Sequence, residues 1–154
     1  MIEMLGVLAI VGVLSAGGIA GYSMAMQSYR TNLLIERMHL IIMRVRQVYK
    51  NGNYMDISNT KMIKSGKLSE DDFKNPFGGD LELYSEPDGT FKMYVGVPEE
   101  PCVEILTMDW GESVAFWLNG MDWYTDISGS APADITEASR SCSGGAGVQM
   151  YFEK

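Results

Sequence analysis

The sequence is poor in the residue types on which most catalytic and metal sites depend. It has one histidine, two cysteines and five prolines in 154 residues. A single histidine makes a His-rich metal site or a Ser-His-Asp set hard to build. Two cysteines exclude a dense disulfide scaffold but allow one bridge. Basic residues are also scarce, 12 against 20 acidic ones, and this net charge of −8 disfavours nucleic acid as a ligand.

The motifs that would indicate an enzyme are absent. No glycine-rich loop ends in Gly-Lys-Ser/Thr, and His39 has the neighbours of a partly buried structural residue. Asp122, Asp126 and Asp134 lack the alternating spacing of a calcium loop. We therefore expect no catalytic residue, no metal and no cofactor. The aromatic residues of the C-terminal half, which we interpret as core or interface anchors, are Trp110, Trp117, Trp123 and Tyr124.

One long apolar stretch dominates the N-terminal part. Residues 4–29 contain no charge, and about 20 apolar residues suffice for a membrane-spanning helix. A secretory signal peptide is the alternative, but it requires a basic start, and the only early charge is Glu3. The stretch contains five glycines, which let helices approach closely in a membrane. They are Gly6, Gly12, Gly17, Gly18 and Gly21.

The apolar stretch continues into an amphipathic pattern. Apolar residues at intervals of three and four predict one buried stripe on a helix that ends near Asn51-Gly52. We expect this stripe to pack against the rest of the chain through Leu34, Met38, Ile41, Ile42, Val45 and Val48. The predicted units are a stem helix over residues 1–52, with a membrane or filament-core half (1–26) and an amphipathic half (27–52), and a globular head over residues 53–154.

The head has the pattern of a small antiparallel sheet. Residues 81–84, 90–95, 113–118, 122–126 and 148–152 are predicted strands, with Asn119-Gly120 as a tight hairpin turn. Ser69 is predicted to cap a short helix, and residues 101–108 a second one. Residues 128–147 are predicted to be mostly loop. The fold class is therefore α+β.

Charge separates the two units. Residues 27–50 carry five basic residues and one acid, a net charge of +4, whereas residues 51–154 carry seven basic residues and 18 acids, a net charge of −11. Such a distribution suits self-association in which stems meet the heads of neighbours. A solvated helix face is the alternative.

The two cysteines lie far apart in the C-terminal half. In a membrane-tethered chain with its head outside the cytoplasm, Cys102 and Cys142 are expected to pair. Two free thiols in a cytosolic protein are the alternative. The disulfide would close a loop of about 40 residues.

The N-terminal segment resembles the start of mature type IV pilins and pseudopilins. The resemblance lies in Ile2-Glu3-Met4 followed by about 20 apolar residues. It extends to the layout of the whole chain, with a Gly-Lys-Leu segment before Asn75-Pro76-Phe77-Gly78-Gly79 and a C-terminal cysteine pair. Three features are closer to the type IVb group: the methionine-rich start, residues 65–69, and residues 91–102 before a helix and Trp110.

The resemblance implies the type IV pilin fold and a structural role. A subunit of this kind is held in the inner membrane, cut by a prepilin peptidase and polymerised by the assembly machinery into an extracellular filament. In the family, the glutamate pairs with the N-terminal amine of an adjacent subunit, a role that falls here on Glu3. The glutamate is the fifth residue of the mature family members, so we expect the mature, methylated terminus to lie two residues upstream of Met1.

Several readings of the role stay open at this stage. The filament subunit would serve adhesion, aggregation or conjugation, with no direct binding of nucleic acid. A minor pilin or type II secretion pseudopilin shares the fold. A single-pass membrane-anchored binding protein belongs to another class, and it would not need Glu3 or the glycines. We further expect residues 15–21, the weakest helical segment, to be partly unwound in an assembled filament.

Overall fold

The computed structural model describes residues 2–110, 114–119, 124–125 and 132–152. In chain order the elements are α1 (Ile2–Val48), α2 (Asn59–Lys64), a 3₁₀ turn (Glu70–Phe73), β1 (Glu82–Ser85), β2 (Phe91–Val97), α3 (Glu99–Thr107), β3 (Val114–Asn119), β4 (Tyr124–Thr125), α4 (Ile135–Ser141) and β5 (Ala146–Phe152).

The first element is one unbroken helix of 47 residues. At 1.5 Å per residue it is about 70 Å long. It ends at Val48 rather than at residue 52, because Gly52 adopts a positive φ of 65° and its N–H bonds back to the carbonyl of Tyr49. Glycine adopts this conformation without the steric cost that a Cβ brings. The stop signal lies where the sequence predicts it, but the last helical residue precedes it.

The head contains a five-stranded antiparallel sheet in the order β1-β2-β5-β3-β4. The last strand therefore lies at the centre, paired with β2 along its whole length. Burial alternates along β2, so that one face of the sheet points to the core and the other outward. Asn119 is a strand residue rather than the turn residue that the sequence predicts, because it pairs with Gly147 and with Tyr124. Gly120, the second residue of the predicted turn, lies outside the described residues.

The predicted loop over residues 128–147 is wrong over its described part. It contains α4 and the start of β5. The side chain of Asp134 caps α4 by accepting a 2.8 Å hydrogen bond from the N–H of Thr136, and Ala138 is the buried residue of this helix. The short α2, capped by Ser58, also has no counterpart among the predicted elements.

A single core joins the stem to the head. The buried residues of α1 belong to the same hydrophobic cluster as Phe91 and Met93 on β2 and Met150 on β5. Cys102 and Cys142 form a disulfide that links α3 to the end of α4, as predicted. The predicted α+β class, with a long helix on a small antiparallel sheet and a disulfide-closed C-terminal region, is confirmed. This architecture matches that of type IV pilins.

Candidate assembly interface

The N-terminal half of α1 exposes apolar side chains on every side. Their exposed fractions range from 53% for Val11 to 75% for Met4. A folded domain rarely leaves so large a contiguous apolar surface in water, and such surfaces mark membranes or partner proteins. The exposed large side chains of this half are Met4, Val7, Leu8, Ile10, Val11, Val13, Leu14, Ile19, Tyr22 and Met24.

The head covers only the C-terminal half of α1. Among the predicted packing positions, five are buried: Leu34, Met38, Ile41, Ile42 and Val45. Val48 continues the spacing of the buried stripe, but it is 38% exposed and does not belong to the core, because α1 ends at this residue. Tyr49 packs there instead, with its ring 5.8 Å from that of Tyr54.

The five predicted assembly glycines all lie in the uncovered half. At Gly6, Gly12, Gly17, Gly18 and Gly21 an added Cβ would meet no atom within 4 Å apart from the backbone of its own helix and its chain neighbours. The fold of the single chain therefore gives no packing reason for glycine at these positions. Glu3 belongs to the first turn of α1, and its side chain lies outside the described residues.

Hydrogen bonds fix the base of the head to the middle of the stem. The side-chain amide of Gln27 donates to the carboxylate of Glu100 at the start of α3. Higher on the stem, the guanidinium of Arg37 donates to the carbonyl oxygen of Lys74. These two contacts fix the position of the head along α1, and the apolar half extends beyond the head on the N-terminal side of Gln27.

Two buried or half-buried asparagines hold the head together, and neither stands out in the sequence. Asn75 donates to the carbonyl of Gly96 (2.6 Å) and accepts from the N–H of Phe77 (3.0 Å). Asn59 bonds to two backbone groups around the start of β1. Its side-chain amide donates to the carbonyl of Leu81 (2.7 Å) and accepts from the N–H of Leu83 (2.9 Å). In the sequence, only the Asn-Pro turn indicates a role for Asn75, and nothing indicates one for Asn59.

His39 is an exposed stem residue whose ring contacts the head. Its ring centroid lies 4.6 Å from that of Trp110, whose indole N–H donates to the carbonyl of Ile105 (2.9 Å). Burial against the head lowers the pKa of His39 below its ordinary value. The predicted structural role thus corresponds to a contact between stem and head, although the side chain itself is exposed.

The aromatic residues predicted as anchors and the acidic residues weighed as calcium ligands lie in different parts of the head. Trp110 is buried, whereas Trp117 lies on the outer face of the sheet, 36% exposed, beside Tyr151. Hydrogen bonds from Thr136 lower the pKa of Asp134 at the start of α4. Trp123, Asp122, Asp126 and the side chain of Tyr124 lie outside the described residues. Within the described part of the chain, no three His, Cys, Asp or Glu side chains are placed to share a metal ion.

The surface that stands out is therefore the uncovered half of α1. By length and composition it belongs to the one helix in the described residues that could cross a membrane, and none of its most apolar window is buried in the fold. Comparison with protein-family models and with curated proteins finds no match to this sequence.

Proposed function

We propose that this chain is a structural subunit that polymerises through α1 into an extracellular filament of the type IV pilus class. One observation carries the proposal: a single helix is packed against a folded head over one half and exposes apolar side chains all round over the other. The resemblance of the N-terminal segment to type IV pilins supports the same role. The filament would serve adhesion, aggregation or conjugation.

The apolar half suits two successive environments. Before assembly it is long enough to hold the subunit in the inner membrane, since about 20 apolar residues span a bilayer. After assembly the same surface is buried between neighbouring stems, so that leaving the lipid does not expose it to water. Glycines without a packing role in the single chain support close approach of such neighbours.

Glu3 favours a polymer over a simple anchor. A carboxylate in hydrocarbon costs about 3 kcal/mol unless it is paired, and a membrane anchor gains nothing from it. Between subunits the same carboxylate would find the N-terminal amine of a neighbour, as the resemblance implies. A buried polar pair of this kind sets the axial register of packed helices.

The proposal includes processing and assembly by other proteins. A prepilin peptidase would remove a leader, and the assembly machinery would extract the subunit from the inner membrane. In the filament, residues 15–21 would be partly unwound, because three glycines make this the weakest helical segment. In the single chain the same residues are helical, so a filament map that shows regular helix there would refute the unwinding.

The test is electron microscopy of filaments sheared from cells that express the native chain or Glu3→Ala. We expect filaments composed of this chain in the first case and at least a tenfold loss in the second. Glu137→Ala, an exposed acid on α4, is the control and should leave the filament number unchanged.

Other results would replace the proposal. Filaments composed of another protein, with this chain at low abundance, would indicate a minor pilin or a pseudopilin. If no filament contains or requires the chain, a membrane-anchored binding protein becomes the better account.

A further inference from the structure

A groove of about 470 Å³ lies where the uncovered half of α1 meets the base of the head. Its stem side is formed by α1 between Tyr22 and Arg30, and its head side by Phe77 and Pro98. The surface of the groove is mostly apolar, and Phe77 also packs against the core. We call it the boundary groove.

The boundary groove lies at the level where a membrane would end. Residues 4–29 carry no charge, and at 1.5 Å per residue about 20 of them cross a hydrocarbon layer of about 30 Å. A layer that begins at residue 4 ends near residue 23, just after Tyr22. The groove therefore extends from the acyl chains into the headgroup layer. Tyr22 and Tyr29, both exposed, suit this level because tyrosine is enriched at membrane interfaces.

A cation of the groove faces the headgroup layer. Arg30 is the first charged residue after the uncharged stretch, and it lines the groove. Its Cα lies about 10 Å above the hydrocarbon layer, and helical side chains are directed back toward the N-terminus of their helix. The guanidinium can therefore reach the lipid phosphates, which arginine binds through paired N–H groups. Within the described part of the chain, no hydrogen bond or ion pair uses this guanidinium.

A carboxylate lies close to this cation. Gln27 precedes Arg30 by three residues, so the two side chains are neighbours on one face of α1. The amide of Gln27 donates a hydrogen bond to the carboxylate of Glu100 at the start of α3. Glu99, beside it, accepts a 3.2 Å hydrogen bond from the N–H of Gly144. The groove thus presents a positive and a negative group at one level of the stem.

We propose that the boundary groove binds a phospholipid whose headgroup carries both a phosphate and a primary ammonium. Arg30 holds the phosphate, and Glu100 accepts hydrogen bonds from the ammonium. An acyl chain lies against Tyr22, Met26 and Phe77. The inference rests on the membrane stage of the proposed function, and it specifies a lipid contact that the single subunit makes before assembly.

Charge complementarity decides between the classes of lipid. An anionic lipid without an amine would bring its negative charge against Glu99 and Glu100, and like charges disfavour such contacts. A choline headgroup has no N–H that could donate to Glu100. A headgroup with a phosphate and a primary ammonium matches both signs and has no net charge. The boundary groove therefore selects it over the other two classes.

Native mass spectrometry of the full chain in detergent micelles tests the proposal. The micelles would contain equal amounts of phosphatidylethanolamine, phosphatidylcholine and phosphatidylglycerol with the same acyl chains. We expect the chain to retain one phosphatidylethanolamine about tenfold more often than either other lipid, the ratio that one hydrogen bond to a charged group supplies. A preference for phosphatidylglycerol, or equal retention of all three, would overturn the proposal.

Two substitutions with matched controls assign the preference to its residues. Arg30→Gln should lower the retention of all three lipids by about tenfold. Arg44→Gln, which removes the same charge about 20 Å further along α1, should not. Glu100→Gln should keep a bound phospholipid but lose the preference for phosphatidylethanolamine over phosphatidylcholine. Glu104→Gln, an exposed acid one turn further along α3, should keep that preference.

The outcomes separate this inference from the filament role. Arg30 and Glu100 are exposed, so neither substitution removes a buried contact of the fold. Equal effects of Arg30→Gln and Arg44→Gln would overturn the boundary groove as a lipid site. They would leave the filament role intact, because the micelles contain no filament. A preference that depends on Arg30 and Glu100, in a chain that no filament contains, would overturn the filament role and leave the lipid site.

Discussion

At the scale of single residues, hydrogen bonds from buried side-chain amides hold loops that the core does not. Asn75 is 7% exposed and bonds to two backbone groups, the carbonyl of Gly96 and the N–H of Phe77. We predict that Asn75→Ala lowers the free energy of unfolding by about 2 kcal/mol, because these two half-buried backbone groups lose their side-chain partner. Urea unfolding of the full chain in detergent, followed by tryptophan fluorescence, measures this loss.

The matched control is Asn53→Ala. Asn53 is exposed and accepts one 3.2 Å hydrogen bond from the N–H of Met55. Exposed substitutions usually change the free energy of unfolding by less than about 0.5 kcal/mol. Equal effects of the two alanine variants would contradict the role assigned to Asn75.

His39 gives the head-to-stem contact a pH dependence. Its pKa is lowered in the folded protein, so the unfolded chain takes up the proton first as the pH falls. The contribution of neutral His39 is therefore complete above the unfolded value of about 6.5 and is lost as the pH drops below it. We predict a lower urea midpoint at pH 5.0 than at pH 7.5, and a smaller difference in His39→Gln. An unchanged difference in the variant would show that His39 does not report on folding.

At the scale of elements, we expect substitutions of buried and of exposed residues of α1 to have different effects on stability. Met38 is fully buried against the head, whereas Met43 on the same helix is 56% exposed. We predict that Met38→Ala lowers the free energy of unfolding by about 3 kcal/mol through loss of buried contacts and a residual cavity. Met43→Ala should stay within about 0.5 kcal/mol of the native chain.

We expect the opposite order for assembly. Once the filament counts are corrected for any loss of stability, Met43→Ala should reduce the number of filaments more than Met38→Ala does. It should also reduce the number more than Met55→Ala, an exposed control on the head. Filament counts by electron microscopy, beside urea unfolding of the same proteins, make the comparison. If Met38→Ala leaves unfolding unchanged, the head does not depend on the buried stripe of α1.

At the scale of the whole molecule, the disulfide joins α3 to the end of α4. Cys102 and Cys142 are separated by 40 positions and both are fully buried. On the chain-entropy model, closing such a loop stabilises the fold by about 4 kcal/mol. We predict that the double variant Cys102→Ser, Cys142→Ser loses stability of this order in urea unfolding. Ser143→Ala, exposed beside the bridge, is the control, and a loss equal to that of the control would contradict the prediction.

Much of the fold follows from local patterns, and its failures have definite causes. The long helix, the hairpin before Phe91 and the disulfide depend on periodicity, turn residues and compartment, which short windows of sequence carry. Ser, Gly and Ala in residues 132–145 hide α4, since its formation depends on the Asp134 cap and on burial of Ala138. Asn119 is not the turn residue that the sequence predicts, because it pairs with Gly147 of β5, a residue distant in the chain.

The sequence alone determined that one half of the stem is apolar on every side and that the head is acidic. These properties come from composition and from spacing along one helix, and neither needs a distant residue. Only the tertiary structure decided that β5 lies at the centre of the sheet, and that α4 forms within a segment whose sequence predicts a loop. Such features depend on contacts between residues far apart in the chain, and periodicity within an element carries no information about which partner will cover it.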